Sequence, residues 1–142
     1  MKLPSGNVSE TLFVPLWGRA ESSKKYPSLL DDKESIRIVE SSNYDFSKVN
    51  SSSEYYCLAS AIRAANFDRE LREYINAHPE ASIVSIGSGL DTTFFRVDNG
   101  KIFWYDLDLP EIIELRKKYV TDNERIKMIA GSCFDYEWIS RV

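Results

Sequence analysis

The stretch Ser82-Ile83-Val84-Ser85-Ile86-Gly87-Ser88-Gly89-Leu90-Asp91-Thr92 decides the fold. Ile83, Val84 and Ile86 form a short β-branched apolar run, which predicts a strand buried on both faces. The run stops at Gly87-Ser88-Gly89, where two glycines let the backbone turn sharply and approach a ligand with no Cβ in the way. A short helix is expected over residues 92–96, and Asp98-Asn99-Gly100 then has the composition of a tight turn. A second apolar run, Ile102-Phe103-Trp104-Tyr105, ends at Asp106 and Asp108. These acids follow Gly87 by 19 and 21 residues (106 − 87 and 108 − 87). That is the spacing of a βαβ unit whose second strand offers a carboxylate to a ribose. The fold class is therefore α/β: the nucleoside-binding half of a doubly wound, Rossmann-like sheet.

Downstream, Leu109-Pro110-Glu111 opens a helix, with proline in the first turn and Arg116-Lys117-Lys118 near the end, where cations suit the helix dipole. Residues 126–130 make a third short strand. Gly131-Ser132-Cys133 follows at its carboxyl edge, and Asp135-Tyr136-Glu137-Trp138 opens another helix. Three such strands lie in the order 3-2-1, which leaves strand one at an edge. A bare apolar edge is a pairing hazard. The expectation is that this chain is the amino-terminal part of a larger protein, or that a partner covers the edge, a second copy of the chain included.

Upstream, residues 1–53 are read as an amino-terminal cap or lid segment with a serine-rich loop, and residues 54–142 as the sheet-bearing half. Residues 1–10 are polar and expected to be loose. Residues 11–17 are apolar, but Pro15 and Gly18 should interrupt any long helix. Residues 32–40 suggest one short helix, and the serine-rich tract 41–53 a loop, hinge or simple linker. Residues 54–77 are helical, with Tyr55, Leu58, Ile62, Phe67, Leu71, Tyr74 and Ile75 at helical spacing. Asp68 is expected to cap a second helix after a break near Asn66. Arg63 stands among alanines. It is either a solvated helix residue or a fork that holds a ligand carboxylate.

The totals narrow the function. A formal charge of −4 with no Lys/Arg stripe argues against a nucleic-acid partner. No apolar run approaches the roughly 20 residues of a membrane span. The first residues lack the apolar core of a signal peptide, so a cytoplasmic protein is expected. Cys57 and Cys133 are isolated and only His78 could join them, so no metal site is expected and both cysteines are read as reduced. His78 precedes the first strand, whereas open α/β sheets bind ligands beyond the carboxyl ends of their strands. No catalytic residue is identified.

The turn also discriminates between nucleosides. A dinucleotide fingerprint wants a third glycine where Thr92 stands, and Asp91 just before it would repel a pyrophosphate. A ligand with an ammonium and a sulfonium would accept that acid. S-adenosylmethionine has both, with a ribose for the later acids and a carboxylate for an arginine.

At these residues the chain resembles a family. Val84-Ser85-Ile86-Gly87-Ser88-Gly89-Leu90-Asp91-Thr92-Thr93-Phe94-Phe95-Arg96 is similar to the first signature of the leucine carboxyl methyltransferase family and its polyketide O-methyltransferase relatives. Tyr105-Asp106-Leu107-Asp108-Leu109-Pro110 is similar to the second. Residues 12–31, with Pro15-Leu16, Arg19-Ala20 and Leu29-Leu30-Asp31, resemble its amino-terminal region. The resemblance implies S-adenosylmethionine as cofactor. Arg63 would hold its methionine carboxylate, and Gly87, with Ser88 and Gly89, would line it. Asp108 would take the ribose hydroxyls, with Asp106 close by. Arg19 would match a basic cofactor-contacting position. Ser132 stands where the family has an acid facing the adenine amino group, and Cys133 would offer its backbone N–H to the ring.

Methyl transfer from a sulfonium is an in-line displacement in which the protein mainly supplies positioning and a dry site. The acceptor expected is a small molecule or a C-terminal carboxylate, or a polyketide hydroxyl. A carboxylate is already ionised at neutral pH, whereas a phenol of pKa about 10 needs a base. Two other readings stay open: a non-catalytic Rossmann-like binding module, and an NAD(P)-binding domain.

Overall fold

The computed structural model describes residues 7–49 and 54–142. Residues 1–6 of the loose start, and residues 50–53 of the serine-rich tract, lie outside the described residues. The chain divides into two compact units, Met1–Leu71 with Leu90–Val97, and Arg72–Gly89 with Asp98–Val142.

The first unit is helical. Helix α1 runs over Asn7–Lys25 with Pro15 inside it, where an interruption was expected. An interior proline loses one backbone bond and clashes with the preceding turn, at a cost of about 3 kcal/mol. Burial outweighs it: Phe13, Leu16 and Ala20 are sealed from solvent, and large apolar side chains each contribute about 1.5–3 kcal/mol when buried. The Phe13 ring stacks on Tyr44 at 4.4 Å between centroids and meets the edge of Phe46 at 6.0 Å. Packing overrides propensity here. Gly18 serves a close approach, because a Cβ at that position would lie 3.2 Å from Ser60 Oγ.

Helix α2 (Lys33–Ser41) begins at Asp32, whose Oδ1 accepts from the Ser35 N–H at 3.0 Å. That is an N-cap, and it sets the start of the short helix expected there. Helix α3 (Glu54–Ala77) is continuous, so the expected break near Asn66 does not occur. Asp68 lies inside this helix, where its carboxylate accepts two bonds from Arg96 of the five-residue helix α4 (Thr93–Val97), at 2.7 and 2.9 Å. Much of the apolar stripe of α3 faces outward. Tyr55 is 80% exposed and Phe67 64%.

The second unit carries the sheet. Strands β1 (Ser82–Ile86), β2 (Phe103–Asp108) and β3 (Ile126–Ala130) are parallel and adjacent in that order, the topology expected from the sequence. Ile83 lies opposite Trp104, and Trp104 opposite Ile126. Central β2 buries Trp104, Asp106 and Leu107. Edge strand β1 is half-exposed rather than covered on both faces, and Ile86 is 57% exposed, because only one strand flanks it among the described residues.

The β1–β2 connection ends in the expected turn. Asp98 Oδ1 accepts from the Gly100 N–H, and Asn99 Oδ1 from those of Lys101 and Ile102. Helix α5 (Pro110–Arg116) crosses from β2 to β3 with proline at its first position. Its face Ile112, Ile113 and Leu115 is buried. The chain closes with a 3₁₀ helix, Tyr136–Arg141.

Candidate functional site at the strand ends

The carboxyl ends of the strands bring the two sequence signatures together within the sheet unit. The turn after β1 folds over the end of β2, where the Leu107 carbonyl accepts from the Gly87 N–H at 2.8 Å. Gly87 adopts φ +68°, and a Cβ there would meet no atom within 4 Å. A side chain is therefore excluded by backbone strain rather than by lack of room. The space above the peptide is open to a ligand. Gly89 also has positive φ, at 48°.

Asp108 ends β2. One carboxylate oxygen accepts from the Gly89 N–H at 2.8 Å and the other from the Leu109 N–H at 2.8 Å. The side chain thus ties the first signature to the second. Each carboxylate oxygen has a further lone pair available to hydroxyl donors. The turn after β3 joins the same end, with the Gly131 N–H donating to the Asp108 carbonyl at 2.9 Å. Ser132 Oγ accepts from the Phe134 N–H at 3.2 Å, and the Cys133 carbonyl accepts from Trp138 Nε1 at 3.2 Å. Both residues are half-buried.

Ser88 carries a sharper signal. Its hydroxyl is buried, and none of the described residues hydrogen-bonds to it. An unmet buried polar atom costs about 1–3 kcal/mol. Such a group beside an open backbone turn suits a polar ligand. With Asp108 at the rim, these residues fit an adenosine-type ligand.

Asp106 is placed otherwise than expected. It lies two residues back from the strand end, fully buried, and does not join Asp108 at the rim. Its carboxylate accepts from Trp104 Nε1 at 3.0 Å, and from Arg116 Nε and Nη2 at 2.9 and 2.8 Å. Arg116 in turn donates to the Gly89 carbonyl at 3.1 Å. Arg116 stands in the last turn of α5, where the charge order placed it, and its guanidinium forms this buried pair, which braces the glycine turn. Alternation along β2 put Asp106 on the face of Trp104, but nothing in the sequence announced that α5 would cover it.

In the helical unit, Arg63 is exposed on α3. It lies in an open groove of about 670 Å³ with Tyr55, Leu58, Ile62 and Phe67. Among the described residues none hydrogen-bonds to its guanidinium, which leaves it accessible to a carboxylate.

Asp91, in the turn that continues the first signature, accepts from the Thr93 N–H at 2.9 Å and the Thr93 hydroxyl at 3.0 Å. Burial by itself would push this carboxyl up. The Arg19 cation, the Thr93 bonds and the Arg96 cation together outweigh burial and hold it below the usual carboxylate range. Arg19 is buried, with Nε 3.2 Å from Asp32 Oδ2 and Nη2 donating to the Leu90 carbonyl at 3.1 Å. Asp32 was read only as the edge of a short helix. Its N-cap position was legible, but its long-range partners were not.

The model of the family described as Leucine carboxyl methyltransferase matches residues 13–128, a span that contains the glycine turn, Asp108 and Arg63. The chain is also 28% identical over 136 residues to the Tetracenomycin polyketide synthesis O-methyltransferase TcmP of Streptomyces glaucescens. That alignment covers 95% of this chain and 50% of the relative, so the chain spans about half the length of that protein.

Proposed function

Because the chain belongs to the leucine carboxyl methyltransferase family, we propose that its strand ends bind S-adenosylmethionine and that the whole protein methylates an oxygen of an organic acceptor. One observation carries this reading: Asp108, at the tip of β2, holds the Gly89 N–H at 2.8 Å, so the glycine turn and the ribose-binding acid share one rim. Gly87 leaves that rim open, and the Ser88 hydroxyl supplies a buried polar group for the ligand.

When bound, S-adenosylmethionine supplies a methyl group on a positively charged sulfur, which an acceptor oxygen displaces in line. This chain's own residues bind and orient. Asp108 accepts the ribose hydroxyls. The backbone around Gly87 and Gly89 carries the ligand without side-chain obstruction. In the helical unit, taken by itself, Asp91 beside its arginines suits a cationic group and Arg63 suits a carboxylate. Ser132 offers a neutral hydroxyl in place of the family's acid, which weakens the hold on an adenine amino group relative to a charged acceptor.

The acceptor is proposed to be a carboxylate, which needs no base at neutral pH. A hydroxyl of polyketide type, such as a phenol, is the second reading, favoured by the similarity to TcmP, an O-methyltransferase of polyketide synthesis. Incubation with tritium-labelled S-adenosylmethionine and a panel of aromatic carboxylates and phenols tests both. Base-labile label in a methyl ester supports the first reading and base-stable label in an aryl ether the second. Bound cofactor with no transfer to any acceptor would favour the non-catalytic binding module instead.

A further inference from the structure

Helix α3 turns an apolar stripe outward, and the stripe holds one cation. The open groove of about 670 Å³ is lined by α3 alone, between Tyr55 and Glu70, and lies wholly within the helical unit. At a rise of 1.5 Å per residue it runs about 22 Å along the helix. Apolar side chains at helical spacing ordinarily face a core. Here Tyr55, Ile62 and Phe67 are all exposed. Apolar surface gathered in one exposed patch marks a binding surface.

The polar groups of the groove divide into two kinds. Glu70 Oε1 accepts from Arg69 Nη2 at 3.0 Å, and Asn66 Oδ1 accepts from Arg69 Nη1 at 3.2 Å, so both acceptors at one end are engaged. Arg63, in the middle, has no hydrogen bond or ion pair to any described residue. The groove therefore presents one uncommitted positive charge in an apolar frame. A monoanion matches that charge, whereas a phosphate dianion calls for a second cation. The planar guanidinium fork meets a carboxylate through two parallel bonds. An ammonium next to that carboxylate would find no free acid in the groove, which disfavours a zwitterion. Phe67 lies four residues from Arg63, one turn along the same face, where helical side chains are neighbours. Ala59, four residues the other way, is small and leaves room. A ring attached to the carboxylate thus has an aromatic surface to rest against.

We infer that this face of α3 binds an aromatic carboxylate, with Arg63 holding the carboxylate and Phe67 the ring. The site is built within one helix, so its success or failure is separate from that of the strand-end reading.

The test is a titration of 2-naphthoate into the ¹⁵N-labelled full chain, followed by amide NMR shifts. 2-Naphthamide supplies the same ring without the charge. 2-Naphthoate is expected to shift α3 amides around Arg63 and Phe67, and to bind about tenfold tighter than 2-naphthamide, the worth of a charge-assisted bond to Arg63. Arg63→Gln should abolish that preference, and Phe67→Ser should weaken both ligands alike. Both side chains are exposed, so both variants are expected to fold. Equal wild-type affinity for the two ligands, an unchanged preference in Arg63→Gln, no saturable binding, or shifts confined to residues outside α3 overturns the proposal. Displacement of 2-naphthoate by S-adenosylmethionine overturns it too, because Arg63 would then serve the carboxylate of that compound. Shifts of α3 amides on raising the protein concentration alone would make the face a contact between copies of the chain, and equally overturn it.

Discussion

Asp106 and Asp108 stand two residues apart on one strand, and the structure assigns them different work. The substitution Asp106→Asn separates the two. It preserves side-chain shape and one acceptor oxygen, but removes the charge that offsets Arg116. Arg116 is 1% exposed and also donates to the Gly89 carbonyl. Leaving one partner of a buried ion pair uncompensated costs about 3–5 kcal/mol. Against the 5–15 kcal/mol typical of a folded domain, roughly a third of the total stability is at stake. With a urea slope of about 2 kcal/mol/M, the unfolding midpoint should fall by about 2 M. Tryptophan fluorescence reports this directly, since Trp104 donates its indole N–H to the same carboxylate. Asp108→Asn is the control, and it should shift the midpoint by about 0.5 M or less, because a half-exposed carboxylate at a strand tip loses at most about one net hydrogen bond. An Asp106→Asn protein with the wild-type midpoint would refute the assignment of Asp106 to the interior. So would one that kept its stability and lost only ligand affinity.

Three further outcomes are expected. Pro15→Ala should raise stability by about 1–3 kcal/mol in urea denaturation, since proline inside α1 sacrifices a backbone bond and alanine is the best helix former; a loss would mean that the ring is essential to packing. Gly87→Ala should cost about 1–2 kcal/mol from its φ of +68° alone and should also lower ligand affinity, because the added methyl enters open space at the rim; an unaffected affinity in equilibrium dialysis would count against a ligand there. Asp98, held below the ordinary carboxylate range chiefly by its hydrogen bond from Arg125, with burial opposing and the Gly100 N–H assisting, gives a pH prediction. A depressed folded-state pKa contributes stability above about pH 4 that disappears as pH falls through the folded value. The pair is partly exposed, so Asp98→Asn should cost no more than about 1 kcal/mol at neutral pH, with the gap between mutant and wild-type midpoints shrinking as pH falls into the acid range. A gap that stayed constant from neutral pH into that range would contradict the pairing.

The sheet was legible because its signals are local. Alternating strand and turn chemistry marked β1 to β3 and their order, and Gly87, Gly89 and Asp108 carried the spacing of a nucleoside-binding unit. The helical unit was less so. Pro15 and Asp68 both suggested helix ends by local rules, and each was overruled by a tertiary partner: the buried face of α1 in one case, Arg96 in the other. Periodicity along α3 identified a helix, but it could not say that Tyr55 and Phe67 would face outward. The buried acids were the hardest. Asp32 and Asp106 carry ordinary sequence contexts, and their roles come from arginines 64 and 10 residues away in the chain (96 − 32 and 116 − 106). The ionic bracing beneath the signature turn is a property of the fold, not of the motif.

The claim that the strand ends grip the nucleoside of S-adenosylmethionine is tested most directly by titrating that compound into the wild-type chain and into Asp108→Ala in a calorimeter. Saturable binding to the wild type, weakened at least tenfold by the substitution with the urea midpoint little changed, is the predicted result. Equal affinity for both proteins, or no measurable binding to the wild type, would contradict it.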